Sequence, residues 1–151
     1  MPKIDIDAAP FSSGTSYPAP FDQPCVGRRR WALGDAAGLS QFGVNLLRLP
    51  PHQWSSQRHW HRAEDEFVYV LEGQVVLVTD AGEQVMGPGD CAAFPAGVAD
   101  GHHLQNRSDL EVVILEMGSR RPDEDAGTYP DIDLALPSRS GGYLHKDGTP
   151  Y

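Results

Sequence analysis

The feature that most constrains this chain is a cadence. From Val44 to Met117, short apolar and β-branched runs alternate with turn residues every six to twelve positions. The runs are VNLLRL (44–49), FVYVL (67–71), QVVLVT (74–79), QVM (84–86), CAAF (91–94), HHLQN (102–106) and LEVVILEM (110–117). Between them stand Pro50-Pro51, Glu72-Gly73, DAGE (80–83), GPGD (87–90) and PAG (95–97). No run keeps a 3.6-residue period, so helices are not the building unit. Closely spaced short strands predict an all-β sandwich or barrel. Glu72-Gly73 is expected to be a tight hairpin turn joining the runs at 67–71 and 74–79. GDAAGLSQF (34–42) is expected to be a loop or at most one helical turn.

The flanks differ in texture. Residues 1–27 carry Pro2, Pro10, Pro18, Pro20 and Pro24 and read as an extended arm without a core of its own. Phe11, Tyr17 and Phe21 suggest that the arm lies against its own barrel or a neighbouring subunit, and a homodimer is expected. The barrel occupies 28–117. The polar tail, 118–151, contains Pro122, Pro130, Pro137 and Pro150, packs on the barrel, and offers one added strand at IDLAL (132–136).

Composition excludes some partners. A chain of 151 residues with a net charge of −9 is poorly suited to bind nucleic acid or an anionic membrane through bulk electrostatics. The run Arg28-Arg29-Arg30 reads as a solvated basic patch or a partner for nearby acids. Cys25 and Cys91 form no CxxC pair, and Cys91, within CAAF, is expected to pack as a small core residue. No apolar run is long enough to span a membrane, and the first residues lack the apolar core of a leader, so a soluble cytoplasmic protein is expected.

Chemistry concentrates in HWHRAEDEF, residues 59–67. Alternate residues of a strand share a face, so His59 and His61 point the same way, about 6.6 Å apart at Cα. Trp60 then points to the other face. Glu66 opens the next strand on the face of Val68 and Val70. If that face is interior, the carboxylate enters the cavity of the two histidines, where a cation would compensate it. A fourth ligand would come from a facing strand, where His102 and His103 are the remaining histidines of the strand-rich core. Spacing alone leaves metal site and surface charge cluster as alternatives.

The spacing resembles that of the cupins. His59-x-His61, four residues, Glu66, six residues and Gly73 is similar to the first cupin motif. Gly89, five residues, Pro95, one residue and Gly97, followed by His102, three residues and Asn106, is similar to the second. Two positions depart from the pattern. Gln53 stands where the first motif has glycine, and Asp100 stands where the second has its histidine, two residues before His102. His103 is therefore a rival to His102, which is preferred because it keeps the spacing to Asn106. DEFVYVLEG, GDCAAFPAG, DGHHLQN and HKDGTPY together resemble a bacterial cupin group whose members carry sugar-phosphate-isomerase-like or regulatory labels.

The resemblance implies an all-β double-stranded β-helix, a jelly-roll barrel. It also implies one divalent transition metal (Fe, Mn, Ni or Zn) held inside by His59, His61, Glu66 and His102. Gly73, Gly89 and Gly97 would serve tight turns. Val68, Val70, Phe94, Leu104 and one tryptophan are expected to line a mostly apolar pocket for a small molecule. Isomerase, dioxygenase and lyase chemistries all occur on this fold, so the fold does not choose among them. Catalysis needs an acid or base beside the metal, for which Gln57 and Arg48 are weak candidates. The alternative is a non-catalytic binding or sensing cupin with a structural metal. Glu64 and Asp65 read as solvated neighbours.

Overall fold

A computed structural model describes residues 3–139 and 141–151. Met1, Pro2 (an expected arm residue) and Ser140 lie outside the described residues. Among the described residues twelve strands form, in chain order: β1 (Phe11–Ser13), β2 (Arg29–Ala32), β3 (Phe42–Leu49), β4 (Trp60–His61), β5 (Glu66–Glu72), β6 (Val75–Thr79), β7 (Gly82–Met86), β8 (Cys91–Phe94), β9 (His103–Gln105), β10 (Val112–Ser119), β11 (Gly127–Tyr129) and β12 (Leu134–Leu136). A single helical turn, α1 (Leu33–Ala36), falls in the stretch read as a loop or one turn.

The strands assemble into an all-β double-stranded β-helix. A six-stranded sheet runs β1-β2-β3-β10-β5-β8, and two three-stranded sheets run β7-β6-β9 and β12-β11-β4. Every pairing is antiparallel. The pleat decides which residues are buried. In β5, Val68 and Val70 are buried while Tyr69 and Leu71 between and after them are exposed. Leu47 and Leu49 of β3 and Val112 and Ile114 of β10 are each 0% exposed and meet Val75, Leu77 and Leu104 of the facing sheet. A second cluster joins Tyr17 and Cys25 of the arm to Tyr129 and Leu134 of the tail. The arm thus lies on its own barrel, with β1 paired to β2 and the Phe11 ring 4.9 Å from Trp31.

Two expectations need correction. Glu72-Gly73 is not a hairpin turn. β5 bonds to β10 and β8, β6 bonds to β7 and β9, and the chain passes from one sheet to the other at Gly73. Cys91 is exposed, because β8 is an edge strand that turns Ala92 and Phe94 inward and Cys91 and Ala93 outward. Of the two readings of the arginine run, the partner for nearby acids holds for Arg29, on Glu111, and for Arg30, on Glu116. Arg28 and Arg30 line an internal cavity. Among the described residues, no helix is long and apolar enough to cross a membrane.

Candidate metal centre

The two motifs meet through the backbone. His59 and His102 exchange two main-chain hydrogen bonds, of 3.1 and 2.8 Å. Gly97 donates its N–H to the His61 carbonyl at 2.9 Å, tying the second motif to the first. Glu66 lies in register with Phe94 across β5 and β8, and Phe94 stacks flat on His102 with centroids 3.5 Å apart. Arg58 forks onto Asp131, with both contacts at 2.6 Å, and donates to the Gly101 carbonyl just before His102.

As a result, His59, His61, Glu66 and His102 line one cavity of about 420 Å³. Three imidazole Nε2 atoms approach a single oxygen, Glu66 Oε2: His102 at 2.9 Å, His61 at 3.5 Å and His59 at 3.7 Å. The His59 and His61 rings lie 4.9 Å apart, so the strand parity expected from sequence holds there. Trp60 does not line this cavity.

The tautomers follow from the partners. His59 Nδ1 lies 2.9 Å from the Gln57 carbonyl, an acceptor, so Nδ1 carries the proton. His61 Nδ1 lies 2.6 Å from Asp125 Oδ2, so it too is the donor. Both Nε2 atoms of the neutral rings then turn lone pairs toward an acceptor carboxylate. A proton on His61 Nε2 relieves one of these contacts, whereas a divalent cation relieves all of them. Metal-binding histidines commonly have their other nitrogen held in this way. The donor set therefore fits a metal: His59, His61 and Glu66 can hold one ion together, with His102 alongside.

The electrostatics agree with this geometry. Burial pushes His59 down to about 4, against the pull of Glu66. Burial would raise the Glu66 carboxyl, but the His102 hydrogen bond and the surrounding imidazoles hold it at about 2. Burial acts to lower His61, yet Glu66 and Asp125 outweigh it and raise the ring. His102 Nδ1 is buried without a hydrogen-bond partner among the described residues.

His103, the rival, has both nitrogens occupied. Nδ1 lies 3.0 Å from the Ser56 carbonyl and Nε2 lies 2.9 Å from Gln105 Nε2. Glu64 and Asp65 are not merely solvated: Glu64 accepts the Arg121 N–H, and Asp65 Oδ1 accepts the Ala96 N–H at 2.8 Å. Asp125 has no signal in the sequence. It reaches His61 from the tail, 64 residues away, with its other oxygen on the Ala63 N–H at 2.8 Å.

The cavity is more polar than expected. Val68, Phe94 and Leu104 line it, but Val70 belongs to the core and no tryptophan contributes. Arg28, Arg30, Asn45, Glu116, Tyr17 and Tyr129 face it as well. The two acid–base candidates lie elsewhere. Gln57 donates to the Phe21 carbonyl at 2.7 Å, and Arg48 pairs with Glu111 at 2.9 Å, neither lining the cavity. The missed residues had a readable signal in strand alternation, which places Arg28 and Arg30 on one face.

Comparison with known proteins supports the same fold. The family model described as "Cupin domain" matches residues 45–118. A protein from Silicibacter pomeroyi, named as a sugar phosphate isomerase of the cupin superfamily, is 47% identical, with 99% of this chain and 96% of that chain covered and a TM-score of 0.92. A second, from Acidithiobacillus ferrooxidans and provisionally named a sugar phosphate isomerase, is 33% identical over 78% of this chain and 74% of its own, with a TM-score of 0.72. A polyketide cyclase from Streptomyces resistomycificus shares the fold at 21% identity, 79% coverage of both chains and a TM-score of 0.62. No curated protein matches the chain. By its double-stranded β-helix, its two motifs and its likeness to these proteins, the chain belongs to the cupin superfamily.

Proposed function

We propose that this chain is a metal-dependent enzyme acting on a small polar molecule, with sugar phosphates as the substrate class and isomerisation as the reaction. His59, His61, Glu66 and His102 would hold one divalent transition metal. The observation that carries the reading is the approach of three Nε2 atoms to one carboxylate oxygen, with two of the rings fixed as lone-pair donors. Three imidazoles and one carboxylate suit Fe, Mn, Ni or Zn. When bound, such an ion supplies a Lewis acid that polarises a substrate carbonyl or hydroxyl. The names of the Silicibacter pomeroyi and Acidithiobacillus ferrooxidans proteins support sugar phosphates as the class to test first.

The chain's own residues supply position and polarity. Asp125 orients His61 and sustains its basicity. Tyr129 stacks on His59 at 5.6 Å and closes that side of the cavity. Arg30 bonds Glu116 at 2.8 Å, which leaves that carboxylate engaged. This engagement favours a second reading, a non-catalytic binder with a structural metal, because Glu116 is not free to act as a base.

The test has two arms. Protein purified without added metal is expected to carry about one divalent ion per chain by elemental analysis. Aldose and ketose phosphates incubated with it should interconvert by NMR. Stoichiometric metal without turnover of any sugar phosphate would favour the binder, and wild-type protein that takes up no ion even when supplied would sink both readings.

Asp125 offers a subtler check. Asp125→Asn is expected to weaken metal affinity by about 10- to 100-fold, the usual cost of losing a partner behind a ligating histidine. A competition titration with a chromophoric chelator measures it, and unchanged affinity would mean that His61 is not a ligand.

A further inference from the structure

Arg28 is the one arginine of the cavity wall without a carboxylate partner among the described residues. Arg30 has Glu116 and Arg120 has Asp35. Arg28 instead bonds three neutral oxygens: Nε to the Gly14 carbonyl at 2.8 Å, Nη2 to Thr15 Oγ1 at 3.2 Å, and Nη1 to the Ser55 carbonyl. Its guanidinium carbon also lies 5.7 Å from the centre of the Tyr17 ring. These contacts fix the planar fork and leave its charge uncancelled. Each terminal nitrogen carries two N–H groups, so one on each has no partner among the described residues.

A half-buried cation held rigid in a cavity, with donors to spare, is a receptor for an oxyanion. The wall that links it to the histidines is continuous. Tyr17 lies edge-on to Tyr129 at 5.8 Å, and Tyr129 stacks on His59 at 5.6 Å. A cavity of about 420 Å³ suits a small metabolite. Glu64, an acid of the same wall without an arginine or lysine partner among the described residues, lies beside His61 and Asp125.

We infer that Arg28, fixed in place by the N-terminal segment Gly14–Tyr17, is the oxyanion subsite of this cavity and takes the phosphate or carboxylate end of the substrate. The other end reaches the cluster of His59, His61, Glu66 and His102. That orientation rests on the proposed metal reading, whereas the subsite itself rests on Arg28 and its partners. The arm thereby becomes part of the ligand-binding wall.

Calorimetric titration of the full chain tests this with four probes: inorganic phosphate, fructose 6-phosphate, gluconate and fructose. Wild-type protein should prefer one or both classes of anion to neutral fructose, and the stronger arm tells phosphate from carboxylate. Arg28→Gln should lose about 10- to 100-fold in affinity for the preferred anion, as expected for a hydrogen-bonded charge, with fructose unchanged. Arg28→Lys should fall between. Arg29→Gln, outward on Glu111, should match wild type.

Metal content measured on the same samples separates the two ideas. Anion binding that depends on Arg28 in protein without metal would keep the subsite and sink the metal centre. Arg28→Gln that binds the anions like wild type overturns the subsite. So does wild-type protein with no preference for fructose 6-phosphate or gluconate over fructose, a result that needs no variant to fold.

Discussion

Glu66→Gln is expected to purify folded and nearly free of divalent metal. The carboxylate is the charged member of the four-residue set, and Oε2 is the atom that all three imidazole Nε2 atoms approach, at 2.9 to 3.7 Å. An amide of the same shape keeps the packing but removes the charge that offsets the ion. Losing a partner behind a ligand already costs about 10- to 100-fold, so losing this ligand should cost at least about 100-fold. The fold should survive, since the amide keeps the shape of the side chain and its oxygen can still accept the His102 hydrogen bond. Elemental analysis after dialysis against a defined metal buffer, with circular dichroism as the check on folding, measures both. Glu66→Gln with wild-type metal content would reject Glu66 as a ligand.

What could be read from the sequence follows from where the information lies. The long strands were legible because apolar residues recur within each run and turn residues bound them. β3, β5, β6, β8 and β10 fall on the runs at 44–49, 67–71, 74–79, 91–94 and 110–117. β1 and β11 were not, because three residues of mixed character carry no period. The cluster of His59, His61, Glu66 and His102 was legible because strand parity and motif spacing act over short distances. Asp125 was invisible, since only the folding of the tail beside β4 brings it to His61. Arg28 and Arg30 could have been found by applying to RRR the same alternation used for HWH. Reading the run as a block of charge hid it.

The same limit explains the misread turn, and it yields a second large effect. Two apolar runs separated by Glu-Gly look like a hairpin whether or not the strands pair, because local sequence does not encode the partner. Here Gly73 carries the chain from the six-stranded sheet into the smaller one, at φ +79. A Cβ at this position would lie 2.8 Å from the Glu111 carbonyl oxygen and 3.1 Å from Val112 Cα, both backbone atoms of the neighbouring segment. The left-handed conformation costs an L-residue about 1–2 kcal/mol, and forcing a methyl into packed backbone adds about 1–3 kcal/mol. Gly73→Ala should therefore destabilise the fold by about 3–4 kcal/mol, a fall in Tm of about 10 °C for a domain of this size. Gly38, after α1 at φ +72, supplies the control, because a Cβ there meets nothing within 4 Å. Gly38→Ala should lose only the conformational part, about 1–2 kcal/mol. Denaturant melts of the two variants beside wild type decide the matter. Equal losses at Gly73 and Gly38 would mean that conformation alone fixes the glycine, whereas a loss about twice as large at Gly73 places its cost in the close passage between sheets.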